Sequence, residues 1–145
     1  MAKRKKSINK TNKIYLKDVV EVVIAFLLAW SIYQGLSIVT GTPMPLVTVV
    51  GNSMLPNLHS GDLVFAYNSD DLNVGDIVTY DRPGGGYPII HRIYEINNEG
   101  YITKGDNNNN PDPFKLSRNT IKGKVAFAVP LLGYPRLALY HVLGI

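Results

Sequence analysis

Pro88-Ile89-Ile90-His91-Arg92-Ile93-Tyr94-Glu95-Ile96 is a run of β-branched and aromatic residues into which one histidine and one arginine are set. Such residues favour strands, and the flanking Gly84-Gly85-Gly86 and Asn97-Asn98 supply turn signals on both sides. A strand alternates its side chains. Ile89, His91 and Ile93 therefore share one face, and Ile90 and Arg92 take the other. An imidazole between two isoleucines is either a half-buried strand histidine bonded to a backbone carbonyl or a group placed for proton transfer. Imidazole suits that second task because it can accept and return a proton near neutral pH.

Outward from this run, the chain between Leu46 and Val129 repeats the same pattern. Strand-like segments fall at Leu46–Val50, Asp62–Tyr67, Asp76–Asp81, Gly100–Lys104 and Ile121–Val129. Ser60-Gly61, Asn73-Val74-Gly75 and the polar stretch 107–113 separate them. Six short runs with turn residues between them predict a mainly β fold, a compact antiparallel β-domain. Gly51–Pro56 followed by Asn57-Leu58 allows one short turn of helix after the first strand.

The N-terminal part has another character. Lys3, Arg4, Lys5, Lys6, Lys10, Lys13 and Lys17 put seven cations and no acid into residues 1–17. The whole chain of 145 residues carries +4, so the remaining 128 residues carry −3. The basic character belongs to the tail, and the folded part offers no electrostatic reason to bind nucleic acid. The apolar stretch Val19–Val39 follows, long enough for a hydrocarbon core of about 30 Å, with Glu21 near its charged end. Lysines on one side predict a cytoplasmic N-terminus and an exported remainder. Thr40-Gly41-Thr42-Pro43 offers no A-x-A cleavage site, which favours an uncleaved anchor over a signal peptide. The expected organisation is a basic cytoplasmic tail (1–18), a transmembrane helix (19–39), an exported β-domain (40–130) and an apolar C-terminal segment (131–145). Pro130, Pro135, Arg136 and His141 interrupt that last segment, so an interfacial helix or a domain edge is expected there rather than a second crossing. The thirteen residues 40–52 reach about 45 Å if fully extended. A turn at Thr42-Pro43 would shorten that path and keep residue 53 near the bilayer. With no cysteine, neither a disulfide framework nor a thiolate metal site is available.

Ser53 stands in Gly51-Asn52-Ser53-Met54-Leu55-Pro56, at a strand-to-turn junction. Taken singly, Gly-Asn-Ser is more simply a turn than a catalytic site. Placed with His91 and a carboxylate, the serine supplies the nucleophile, general base and orienting acid of acyl transfer. Asp106 and Asp112 are the candidate acids, in Lys104-Gly105-Asp106-Asn107-Asn108-Asn109-Asn110-Pro111-Asp112. One would hold the imidazole and the other would organise the loop, and spacing does not say which. The start Asp106-x-Asn108-x-Asn110 resembles a calcium loop, but Pro111 replaces the required glycine and Ser117 the bidentate glutamate. No metal and no cofactor are expected. His59 and His141 lack comparable surroundings.

Together these segments resemble the type I signal peptidase family over most of residues 15–135. Gly51–Pro56 is similar to its nucleophile box. Gly61-Asp62-Leu63-Val64 and Gly75-Asp76-Ile77-Val78 resemble its two Gly-Asp strand openings. Ile90-His91-Arg92-Ile93 resembles the general-base box, with histidine as in the archaeal, endoplasmic-reticulum and sporulating-bacterial branch. Lys104–Asn108 with Asp112 resembles the last box, and Gly123-Lys124-Val125 with Pro130–Tyr134 the closing strand and turn.

The resemblance implies a membrane-bound serine endopeptidase that removes signal peptides from exported preproteins after an A-x-A pattern. Ser53 and His91 would be catalytic, with Asp106 and Asp112, and the Ser53 N–H would contribute to the oxyanion hole. Gly51 stands where some relatives carry an assisting hydroxyl. Substrate would lie extended along Leu46–Val50 and the strand leading to His91, contacting Val50, Gly51, Met54, Ile89 and Ile90. Met54 and Ile90 would floor shallow pockets. Preproteins, the lipid bilayer and the protein-export channel are the expected partners, in a cell membrane or an endoplasmic-reticulum-type membrane. Two other readings stand beside it: a Ser–Lys peptidase with Lys104 as base, and an inactive membrane-anchored β-domain acting as an adaptor.

Overall fold

The computed structural model describes the backbone of residues 2–144. Met1 and Ile145 lie outside the described residues, as do the side chains of Tyr140 and of 2–14, the latter holding most of the expected basic cluster. The chain divides into two compact units, residues 1–36 and 37–145.

The first unit is most of helix α1 (Ala2–Thr40), which continues through the expected tail without a break. Its described segment Tyr15–Thr40, which contains the expected Val19–Val39, is long and apolar enough to cross a membrane. Twenty-six helical residues rise about 39 Å, more than a hydrocarbon core of about 30 Å. Phe26, Leu27, Leu28 and Trp30 are exposed. Water gives them no reason to be outside, and lipid would. Glu21 pairs with Lys17 one helical turn away, 3.6 Å apart, so the acid near the charged end has a local partner.

The second unit is a six-stranded antiparallel sheet. Its strands are β1 (Leu46–Thr48), β2 (Leu63–Tyr67), β3 (Ile77–Tyr80), β4 (Ile89–Asn97), β5 (Gly100–Lys104) and β6 (Ile121–Val129). All six fall inside or within one residue of the predicted runs. The spatial order is β1-β2-β6-β3-β4-β5. Neighbouring hairpins place β3 beside β4 and β4 beside β5, while β6 returns to lie between β2 and β3.

Each face of the sheet carries a buried cluster. Tyr80, Val78, Ile93, Leu116, Ile121 and Leu72 form one buried cluster, against which Ile89 packs. Val64, Ile90, Val49, Met54 and Leu58 form another beneath the 51–58 turn. The alternation along β4 thus sends Ile89 and Ile93 to one core and Ile90 to the other. At 51–58 the expected helical turn reduces to a single helix-like bond, from the Leu58 N–H to the Met54 carbonyl (2.9 Å), within a series of turns.

The C-terminal segment contains a helix, α2 (Tyr134–Leu143). Ten residues rise only about 15 Å, too short to cross a membrane. Gly133 joins α2 to the sheet. A Cβ there would lie 2.5 Å from Thr48 Cγ2 and 2.8 Å from the Gly61 carbonyl, so only glycine allows this approach.

Candidate active site

Strand β4 carries His91 opposite Val78 of β3, and the residue is 7% exposed. Nε2 lies 3.2 Å from Ser53 Oγ, and Nδ1 lies 2.7 Å from Asp112 Oδ2. A carboxylate accepts only, so Nδ1 carries the proton and Nε2 presents its lone pair to the serine hydroxyl. Residues 38 and 21 positions apart in sequence meet in one line of hydrogen bonds. A nucleophile beside a base whose tautomer is set by an acid is the local chemistry of acyl transfer.

The turn that bears Ser53 is held from below by the 105–108 loop. The Asn107 N–H donates to the Ser53 carbonyl (2.8 Å), and the Asn107 amide donates to the Asn52 carbonyl (3.2 Å). Gly105 makes that fit possible, because a Cβ there would lie 2.7 Å from the Ser53 carbonyl oxygen. Gly51 has φ +92°, a left-handed conformation, and nothing lies within 4 Å of where its Cβ would be. Backbone shape requires glycine there, and the same absence of a side chain leaves room beside Ser53.

The two aspartates separate cleanly. Asp112 is tied to β5 by its N–H on the Thr103 carbonyl (2.8 Å), and its carboxylate faces His91. Asp106 faces Arg92 instead, accepting from Nε (2.8 Å) and Nη2 (2.7 Å), and also from the Asn57 amide (2.7 Å). Arg92 Nη1 donates to the Gly75 carbonyl (2.6 Å). Asp106 therefore links β4 to the end of the turn that bears Ser53 rather than to the imidazole. The Arg92 guanidinium holds the Asp106 carboxyl below the usual aspartate range, outweighing partial burial, and Asn57 helps. The same bond pushes the Arg92 guanidinium up.

A group made more acidic by folding stabilises the native state fully above its unfolded pKa of about 3.9. That contribution disappears as pH falls through the lowered native value. Asp106→Asn is expected to flatten the acid side of the stability-versus-pH curve, read from thermal unfolding of the full chain in detergent. An unchanged acid slope would show that the Arg92–Asp106 pair contributes nothing.

Four residues of this site were not singled out in the sequence: Arg92, Asn57, Tyr80 and Thr103. Tyr80 O–H and Thr103 Oγ1–H both donate to Asp112 Oδ2, at 2.8 and 2.6 Å. A usable signal existed for Arg92, an unpaired cation on the face opposite His91 with acids in the next loop. Tyr80 ends an apolar run and gave none. Of the expected substrate-contacting residues, Val50 and Gly51 are exposed and Ile89 is half-buried, whereas Met54 and Ile90 are 1% and 8% exposed. Lys104 points elsewhere: its Nζ lies 5.7 Å from the Tyr94 ring centroid, beside a depression of about 400 Å³ that Arg92 and Asp106 also line. His59 pairs loosely with Asp62 at 4.0 Å. Among the described residues no cluster of three or more His, Cys, Asp or Glu side chains is placed to hold a metal ion.

A serine hydroxyl held on an imidazole in an antiparallel β-domain is an arrangement capable of peptidase chemistry. Residues 10–126 match the family described as Peptidase S24-like. The signal peptidase complex catalytic subunit sec11 of Neurospora crassa is 37% identical over 125 residues, covering 77% of this chain and 73% of the relative. The SEC11 subunit of Saccharomyces cerevisiae is 37% identical over 133 residues, covering 82% and 80%. That of Colletotrichum graminicola is 35% identical over 125 residues. The chain belongs to the Peptidase S24-like family and, within it, to the type I signal peptidases of the Ser–His branch.

Proposed function

We propose that this protein is a membrane-bound serine endopeptidase that removes signal peptides from exported preproteins, with Ser53 as nucleophile, His91 as general base and Asp112 as the orienting acid. The observation that carries the reading is the continuous line from Ser53 Oγ through His91 to Asp112, at 3.2 and 2.7 Å. His91 Nε2 takes the Ser53 proton as Oγ attacks the scissile carbonyl. The developing oxyanion lies beside the Ser53 N–H. His91 then protonates the departing amine; in the second half it takes a proton from water as that water attacks the acyl-serine, and returns it to Ser53 Oγ as the acyl bond breaks and the carboxyl product leaves. Asp112 keeps Nδ1 protonated throughout and stabilises the imidazolium that forms. Asp106 has no step of its own; through Arg92 and Asn57 it organises the loop and turn that carry Ser53.

Substrate pairs with the free edge of β1. Val49 and Pro45 bond inward to Asp62 and Ala66, so the alternate residues Leu46, Thr48 and Val50 turn their backbone groups outward. An extended segment added there runs toward the serine by main-chain bonding. Val50 and Gly51 contact it directly. Met54 and Ile90 lie packed beneath the turn and close the floor, which favours alanine-sized side chains.

Helix α1 anchors the domain, with the cationic tail in the cytoplasm and residues 40–130 on the exported side of a cell or endoplasmic-reticulum-type membrane. The relatives' names place them in a complex, and partner subunits of that kind suit this chain too, as do the bilayer and the export channel.

The test is processing of a model preprotein by the full chain in detergent. Cleavage after an alanine at the −1 position is expected, with a loss of about 100-fold or more when −1 becomes leucine, a side chain a closed floor rejects by clash and desolvation. Indifference to the −1 residue would remove the specificity claim. In cells, a cysteine at position 7 should be protected from an impermeant label and one at position 69 modified; the opposite pattern would reverse the orientation.

A further inference from the structure

Tyr80 lies at the end of β3 with no exposed surface, its ring packed in the Val78, Ile93, Leu116 and Ile121 cluster. It meets the His91 ring edge-on at 6.3 Å between centroids and the Phe114 ring at 6.2 Å. A phenylalanine would satisfy that apolar packing. The hydroxyl reaches further: it lies 2.8 Å from Asp112 Oδ2 and 3.3 Å from His91 Nδ1. Burial, with Asp112 adding to it, pushes the Tyr80 phenol far above its ordinary range, so it stays a donor at any working pH.

We propose that Tyr80 is a positioning residue for the reaction, its hydroxyl fixing the Asp112 carboxylate so that Oδ2 meets His91 Nδ1. The proposal rests on the catalytic reading given above. An aspartate on a loop has two side-chain rotations and no rigid support of its own. Here three donors converge on one oxygen from three adjacent strands: Tyr80 from β3, His91 from β4 and Thr103 from β5. Rotation of the carboxylate would break all three bonds at once. Tyr80 and Thr103 also draw charge from Oδ2, which tempers its pull on the Nδ1 proton. The other groups that act electrostatically on this cluster are Arg82 after β3 and the Arg92–Asp106 pair. They are unchanged in the variants below.

Tyr80→Phe removes only the oxygen. In the full chain in detergent, kcat on a preprotein peptide should fall about tenfold with KM within about twofold, since Tyr80 is out of reach of substrate. The acid limb of kcat/KM should move up by about half a unit to one unit, because a less solvated carboxylate holds protons in the cluster more tightly. Thr103→Val should act in the same direction and Thr103→Ser should restore the parent profile. A second readout does not need turnover: in a Ser53→Ala background, the His91 Nδ1 proton resonance, identified by its loss in His91→Gln, should move downfield on adding Tyr80→Phe. Movement of that resonance, together with a parent protein that cleaves no preprotein, would keep the positioning role and reject the proposed activity. An acid limb and a resonance both unchanged in Tyr80→Phe, whatever happens to kcat, would reduce Tyr80 to a packing residue and overturn the proposal.

Discussion

Ser53→Ala is expected to lower preprotein cleavage by roughly 10⁴-fold or more, the scale seen when a serine nucleophile is removed. The fold should not notice. The hydroxyl's bond runs to His91 Nε2, while the turn is held by the Ser53 carbonyl accepting from the Asn107 N–H and by Met54 beneath it. Neither depends on Oγ. Loss of one partly exposed hydroxyl should change stability by no more than about 0.5 kcal/mol. Cleavage of a model preprotein and thermal unfolding, measured on the same preparation, decide the matter. Activity within tenfold of the parent, or an unfolded variant, would contradict this account of the site.

His91→Ala should cause a loss of the same order, whereas Lys104→Ala should retain activity within about threefold, because general-base help is withdrawn only in the first. The contrast follows from placement. His91 lies between Ser53 and Asp112, whereas the Lys104 ammonium sits over the Tyr94 ring. Removing the imidazole leaves Asp112 two donors, Tyr80 and Thr103, so the carboxylate is not stranded and the domain should still fold. Far-ultraviolet circular dichroism checks the fold, and rates on a preprotein check the chemistry. The reverse pattern, with Lys104 essential and His91 dispensable, would transfer the base to lysine and turn the enzyme into a Ser–Lys peptidase.

The boundaries of the elements were readable in the chain because they depend on neighbours in sequence. Ile121–Val129 and Gly100–Lys104 alternate between turn signals, and both are strands with those limits. Period-two burial and turn chemistry act over a few residues, so a local pattern suffices. A helix long and apolar enough to cross a membrane is legible for the same reason, since length and apolar content are properties of one segment. The 131–145 segment was less clear. Pro135 blocks a strand interior but is tolerated at a helix start, where it stands in α2 (Tyr134–Leu143).

Sequence alone determined the chemical inventory: a serine in a glycine-bracketed turn, a strand histidine, two loop aspartates and an apolar helix before them. It could not divide the aspartates. Asp106 and Asp112 sit six residues apart in the same polar loop, with equal claims by composition. Tertiary structure decided between them, because the Asp112 N–H bonds to the Thr103 carbonyl and turns its carboxylate toward His91, while Arg92 and Asn57 capture Asp106. It also recruited Tyr80 and Thr103, whose hydroxyls gain meaning only where β3, β4 and β5 lie side by side. A hydrogen bond is specific at about 3 Å, and which groups come that close is set by strand register across the sheet, a property no local pattern contains.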